Sequence, residues 1–292
     1  MKYALYLPNF GPFGDVRTLV NLARDAEAVG WDGFFLWDHI ARQHAVGNVV
    51  DPWIALSAIA LSTSSIKIGA LITPLPRRRP WKVARETASL DQLSGGRLIF
   101  GAGIGGKGGQ EVEWDNFGEV ADLKVRGTML DEGLDILTGL WSGDIFQYNG
   151  QHYQVKASQF LPAPAQSPRI PIWIAGYWRN LAPFRRAARW DGVFPLFNPE
   201  LNFQQTQAQF REVVSYINEN RTGNTPCDFL CRGHTSGHTS SEDHDLIAGF
   251  NAAGATWWME DLMPEYYGTG WADTWHFDAM RERIRQGPPT ID

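Results

Sequence analysis

What this chain lacks narrows its class before any motif is read. Cysteine is scarce: Cys227 and Cys231 are the only two in 292 residues, and a lone C-x-x-x-C spacing is neither a zinc knuckle nor a disulfide framework. Both are expected to be reduced thiols with a structural place. Basic charge is in deficit, since 26 Lys and Arg face 32 Asp and Glu for a formal net charge of -6, with a pI near 5.7. That balance argues against nucleic acid or an anionic membrane as partner. No apolar run approaches the roughly 18 residues of a membrane span. Met1, Lys2 and Tyr3 lead directly into a strand pattern without a signal-peptide core, so a cytoplasmic location is expected. No Pro/Ser linker or block of like charge divides the chain, and one domain over residues 1–292 is the simplest expectation.

Glycine, by contrast, is plentiful, and it gathers in residues 98–109, LIFGAGIGGKGG. Gly101, Gly103 and Gly106 spell G-x-G-x-x-G, and the stretch from Gly101 to Lys107 spells G-x-x-x-x-G-K. Gly108 stands where a P-loop needs Ser or Thr for magnesium. A dinucleotide fingerprint needs a helix at the last glycine, whereas residues 107–118 carry no helical apolar period. The run reads instead as a buried strand, 98–102, whose exit lies flat against a ligand or a neighbouring strand.

Short apolar runs alternate with helical periods along the whole chain, which is the signature of a parallel sheet built from right-handed crossovers. Strands are expected at 3–7, 33–37, 66–72, 98–102, 170–175, 192–196, 229–231 and 255–259. Between them lie amphipathic stretches such as Leu19, Leu22, Ala23 and Ala26, or Leu130, Leu134, Leu137 and Trp141. Asp51 and Pro52 open one helix, and Ser240 and Asp243 another. Residues 145–155, centred on Tyr148, Asn149, Gly150 and Gln151, read as a β-hairpin inserted after the fourth unit. Eight strand–helix pairs predict a (β/α)8 TIM barrel, with an open doubly wound sheet as the alternative.

In such a barrel chemistry sits at the carboxyl ends of the strands. Polar residues gather there: Pro8 and Asn9 after the first, Asp38 and His39 after the second, Thr73 and Pro74 after the third, and Gly176, Tyr177, Trp178, Arg179 and Asn180 after the fifth. His39 is the first choice for proton handling, with Asp38 expected to hold its tautomer. Arg77, Arg78 and Arg79 could attract a phosphate or an acidic tail, although three consecutive charges are more often simply solvated. Most of the 13 tryptophans belong to the core, and adjacent Trp257 and Trp258 point to opposite sides of a strand.

With these pieces in place the chain resembles the bacterial luciferase-like family of flavin- or deazaflavin-dependent oxidoreductases. The resemblance is carried by Trp37-Asp38-His39, by IKIG at 66–69, by ASLDQLSGGRL at 88–98, by GAGIG at 101–105, by LWSG at 140–143 and by PIWIAG at 171–176. It implies a flat tricyclic cofactor at the barrel mouth, FMN or alternatively the deazaflavin coenzyme F-420. The ring would lie near strands two to four, against Asp38, His39, Ala70, Leu71, Thr73, Gly103 and Gly105. Its phosphate would lie near Gly176, Tyr177, Trp178 and Arg179, where free N–H groups precede a helix. A non-prolyl cis peptide is implied near Ala70, Leu71 and Ile72.

Deazaflavin-dependent sugar-phosphate dehydrogenases of this family pair a catalytic histidine, matched by His39, with a glutamate just after the fourth-strand glycines. Here Gly106 and Lys107 occupy that place, and Glu111 or Glu113 would have to reach in. The leading expectation is therefore a monooxygenase using reduced flavin and O2 on a small organic substrate, with an accompanying flavin reductase. The alternative is a deazaflavin-dependent hydride transfer. Two other classes remain: a metal-dependent hydrolase using Asp38, His39, His234, His238 and His244, and a non-catalytic flavin-binding protein. No H-x-H follows the first strand, which argues against metal. Pairing into a homodimer through exposed helices is a further expectation.

Overall fold

A computed structural model describes residues 1–42, 47–106, 112–221, 225–237 and 240–289. Parallel strands β1 (Lys2–Leu7), β2 (Gly33–Leu36), β3 (Lys67–Ala70), β4 (Thr73–Pro74), β5 (Phe100–Gly103), β8 (Ile172–Tyr177), β9 (Gly192–Leu196), β10 (Asp228–Gly233) and β11 (Trp257–Asp261) run in the order β3-β2-β1-β11-β10-β9-β8-β5-β4. β3 and β4 are two halves of one strand, broken by a cis peptide between Leu71 and Ile72 where the resemblance implied one. The ring closes through a parallel bridge between Ile68 and Leu98. The expected (β/α)8 barrel is the fold, and its hairpin, β6 (Ile145–Asn149) with β7 (Gln154–Gln159), follows the fourth unit. Among the described residues no helix is long and apolar enough to cross a membrane.

Helices α1 (Val16–Ala28), α2 (Pro52–Ser62), α3 (Pro80–Ser94), α5 (Leu123–Trp141), α6 (Leu181–Ala187), α7 (Phe203–Asn220), α8 (Ser241–Ala252) and α9 (Phe277–Arg285) join or follow the strands. Their starts follow the side chains read from the sequence. Asp51 accepts from the amides of Trp53 and Ile54, and Ser240 from that of Asp243, satisfying donors that a first turn leaves unpaired. The four residues expected on the buried face of α1, Leu19, Leu22, Ala23 and Ala26, are its buried residues. Exact strand ends were less legible; the last strand begins at Trp257 rather than 255, since the Ala255 amide still bonds back to the Phe250 carbonyl at the end of α8.

Alternation along the strands makes two apolar layers. Inside the barrel pack Ala4, Tyr6, Phe35, Trp173, Phe194, Leu230, Trp257 and Met259, with the Trp173 and Trp257 rings 5.2 Å apart, edge to face. Trp258 belongs to the outer layer, under the helices, as its parity requires. Both cysteines are free thiols, and burial pushes Cys227 up to about 11.

Arg97 fastens the closing seam. Its buried guanidinium donates to the carbonyls of Ala60, Thr63, Ile66 and Ser94 and to Thr63 Oγ1, at 2.7–3.0 Å. The end of α2, the start of β3 and the end of α3 are thereby tied beside the Ile68–Leu98 bridge. Arg97→Met would strand these acceptors in the interior, so urea unfolding should show a loss of about 2–4 kcal/mol; an unchanged midpoint and slope would contradict the assignment.

Candidate functional site

At the carboxyl end of β2, Asp38 and His39 turn in different directions. The Asp38 carboxylate is fully buried and bound by Arg78 at 2.6 Å and Arg77 at 3.4 Å, with the Trp53 indole N–H donating at 3.3 Å. It does not hold the tautomer of His39, as had been expected. That place is taken by Glu113, both of whose oxygens lie 3.2 Å from His39 Nδ1. Nor are Arg77 and Arg78 solvated or directed at a cofactor tail: a buried carboxylate needs a counter-charge, and these two arginines supply it. Arg79 alone is exposed, its guanidinium 5.9 Å from the Trp81 ring.

Glu113 arrives on a one-turn helix, α4 (Val112–Asp115), inside the stretch expected to be loop. A single turn is too short to display a helical period. Its carboxylate also accepts from the amides of Ile40 at 2.5 Å and Ala41 at 3.2 Å and pairs with Arg77 at 2.9 Å. Burial works to raise its pKa, but hydrogen bonding to His39, the charges of His39 and Arg77 and the Ala41 amide outweigh burial and bring it to about 2. Glu113 is therefore an acceptor only. His39 must carry a proton on Nδ1, and the described residues leave Nε2 without a hydrogen bond. Asn9 fixes the backbone below it: Nδ2 donates to the carbonyls of His39 at 2.7 Å and Val50 at 2.6 Å, and Oδ1 accepts from the His39 amide at 3.2 Å.

The glycine run is chiefly a packing device. A Cβ on Gly103 would stand 2.1 Å from Ile72 Cδ1, so its absence lets the third strand lie against the fourth. Gly105, at φ +77, would drive a Cβ to 2.2 Å from the Trp114 ring. Trp114 is fully buried with the Arg126 guanidinium 3.3 Å from its ring centroid, and Arg126 Nη1 donates to the Gly106 carbonyl at 2.7 Å. That clamp holds the segment delivering Glu113. Lys107, Gly108, Gly109 and Glu111 lie outside the described residues.

Of the other expected cofactor contacts, Ala70, Leu71 and Thr73 are buried at the third strand, and Gly103 closes beside them. Thr73 Oγ1 and Trp37 Nε1 are buried with no hydrogen-bond partner among the described residues, as expected of groups that meet a polar heterocycle. Across the opening, Gly176 packs against Pro183 and Tyr177 is exposed. Arg179, at φ +80, is paired with Glu212 at 2.9 Å, and Trp178 Nε1 donates to the same carboxylate at 3.0 Å. The cation expected to face a phosphate thus already has a partner.

The four described residues of the metal alternative, Asp38, His39, His234 and His244, form no metal-holding cluster. His234 stacks on Tyr266 at 4.7 Å with Nδ1 3.3 Å from Glu260, His244 is exposed on α8 beside Asp245, and His238 lies outside the described residues. Among the described residues no three His, Cys, Asp or Glu groups form a metal-holding cluster. Sequence reasoning passed over Arg232 and Asp261, polar residues on the inward face of the last two strands. Their inward parity was the available signal.

A family model described as luciferase-like monooxygenase matches residues 4–253. An F420-dependent hydroxymycolic acid dehydrogenase of Mycobacterium tuberculosis is 32% identical over 159 residues, which is 54% of this chain and 43% of that protein. The oxygenase component of a flavin-dependent trigonelline monooxygenase of Acinetobacter baylyi is 27% identical over 157 residues, 54% of this chain and 42% of its own length. The matched stretch spans less than two thirds of such curated relatives. A solved monooxygenase of Streptomyces bottropensis superposes with a TM-score of 0.71 at 19% identity, covering 98% of this chain and 97% of that one.

The Glu113 pKa lies below its usual 4.5 in the fold, so its stabilising contribution is complete above pH 4.5 and is lost as pH falls through about 2. Glu113→Gln should therefore unfold about 1–3 kcal/mol more easily at pH 7, and the gap should narrow steadily in acid denaturation below pH 4.5. A gap that is constant with pH would contradict an ionised Glu113.

Proposed function

The chain belongs to the luciferase-like monooxygenase family, and on that premise we propose that it is an oxidoreductase whose proton-transfer group is His39, acting as a monooxygenase with reduced FMN and O2 on a small organic substrate. The observation that carries this reading is the His39–Glu113 pair, an imidazole fixed by an ionised carboxylate at the strand ends where barrel enzymes work.

The residues present fit a flavin. Thr73 and Trp37 offer buried, unpartnered polar atoms, and Leu71, on the inner layer, with Gly103 and Gly105 offers apolar surface and close backbone for a flat ring, whereas Ala70 packs in the outer layer. The phosphate is assigned to Gly176, Tyr177, Trp178 and Arg179, with Arg179 releasing Glu212 to meet it. A bound flavin supplies electron-transfer chemistry that no side chain provides. The protein's part is to hold, orient and dry the reactants. Tyr6, Trp37, Ile72, Phe194 and Leu196 surround the inner mouth with apolar surface, and exclusion of water there protects reactive species from side reactions. His39 Nε2 takes or returns the substrate's proton, and Glu113 stabilises the imidazolium that forms. Delivery of reduced flavin is assigned to a separate reductase.

A second reading, hydride transfer with a deazaflavin, gains from one observation. Glu113 does reach the histidine, supplying the acid–base partner that the glycine run itself lacks. In that reading His39 Nε2 takes the hydroxyl proton of an alcohol. Titrating cofactor-free protein with FMN and with the deazaflavin, then following O2 uptake with reduced flavin against anaerobic loss of deazaflavin absorbance with alcohols, separates the two. His39→Ala should lower kcat by about 10²–10⁴-fold in whichever reaction is active, with cofactor affinity changed only a few-fold. Full turnover in that variant, or binding of neither cofactor, would overturn the proposal.

A further inference from the structure

We propose that Arg232 and Asp261 anchor a carboxylate of the substrate at the barrel mouth, Arg232 as the binding group and Asp261 as the positioning residue beneath it. The inference deepens the reading above only in taking the mouth as the reaction site. In register, Asp261 stands beside Tyr6 and Arg232 beside Met259; both follow inward-facing residues, Met259 and Leu230. They therefore occupy the last interior layer, on the wall away from the third and fourth strands.

The pair is incomplete as it stands. Asp261 is 1% exposed, and neither carboxylate oxygen accepts a hydrogen bond among the described residues. Its opposite charge, Arg232 Nε, stays 3.6 Å away. The Arg232 side chain is 39% exposed, and the described residues give its guanidinium no hydrogen bond, so a planar fork of donors faces the opening. A guanidinium fork matches a carboxylate in two parallel hydrogen bonds. One guanidinium backed by one carboxyl suits a monoanion and undercompensates a phosphate dianion. The neighbouring surface of Tyr6, Trp37, Phe194 and Leu196 suits an aromatic or apolar remainder, which points to an aryl carboxylate.

Charge around Asp261 adds a pH dependence. It is faced by Tyr6 from β1, Arg232 from β10, and Tyr266 and Glu265 from the turn after β11, with Glu260 and His234 behind. Burial raises its pKa most, the acidic neighbours add and Arg232 opposes, to about 7. Below that pH a neutral Asp261 leaves the Arg232 charge uncompensated. Above it the ionised carboxyl offsets Arg232 and weakens the hold on an anion.

Benzoate is the test probe, titrated by calorimetry into the cofactor-free full chain. Benzoate should bind at least about tenfold more tightly than benzamide or phenyl phosphate at pH 7. Its affinity should fall about five- to tenfold from pH 6 to pH 8. Arg232→Gln should cost at least about tenfold, and Asp261→Asn should retain tight binding while flattening the pH profile. A purely structural Asp261 would leave that profile unmoved. The proposal is overturned by no benzoate binding, by benzamide binding equally well, by indifference to Arg232→Gln, or by an unchanged pH profile in Asp261→Asn. If Arg232→Gln does not fold, the ligand series on the unaltered chain and Asp261→Asn decide. Failure with FMN binding intact removes this pair alone, whereas loss of FMN binding as well removes the reading of the mouth.

Discussion

The site depends on one buried charge, the carboxylate of Asp38. A fully desolvated carboxylate at a strand end is costly unless it is met by cations, and meeting it draws Arg77 and Arg78 off the third strand and into the protein. Once placed, Arg77 has a second group to satisfy and receives Glu113. Glu113 in turn fixes the ring of His39. Asp38, although adjacent to His39 in the chain, thus acts on it through two side chains, Arg77 and Glu113, from two loops. Buried ion pairs of this kind contribute more to arrangement than to net stability, and arrangement is what a proton-transfer group needs.

The rest of the barrel supports that arrangement from two sides. Asn9, just past β1, holds the backbone of His39 with two hydrogen bonds and ties it to Val50 with a third, and the Trp114–Arg126 clamp holds the arm that carries Glu113. Glycines at 103 and 105 permit the close contacts on which both depend. Their use as backbone that a third strand and an indole can approach explains why the run imitates phosphate-loop patterns without obeying them.

The fold was legible because it is written in repeated, local signals. The α1 face, the Asp51 and Ser240 caps and the 192–196 strand all stand where periodicity and capping put them. The third strand was legible in extent but not in its division into β3 and β4, which apolar patterning does not encode. The site was legible only as a set of strand ends. Partner choice there is a tertiary matter: Glu113 lies 74 residues from His39, on a turn too short to declare itself. Arg77 and Arg78 were misread because exposure cannot be inferred from a charge run when a buried carboxylate 39 or 40 residues away awaits it. Arg232 and Asp261 carried a signal, inward parity, that a search for adjacent polar pairs does not see.

The central claim is that Glu113 fixes His39 with its proton on Nδ1 and leaves Nε2 for the substrate. Nitrogen-15 NMR of the ring, recorded in the neutral-imidazole range with His39 assigned by substitution, reads this directly. The account predicts the Nδ1–H tautomer as the dominant form, with its proton hydrogen-bonded. A dominant Nε2–H tautomer, or a ring exchanging freely between the two, would contradict it.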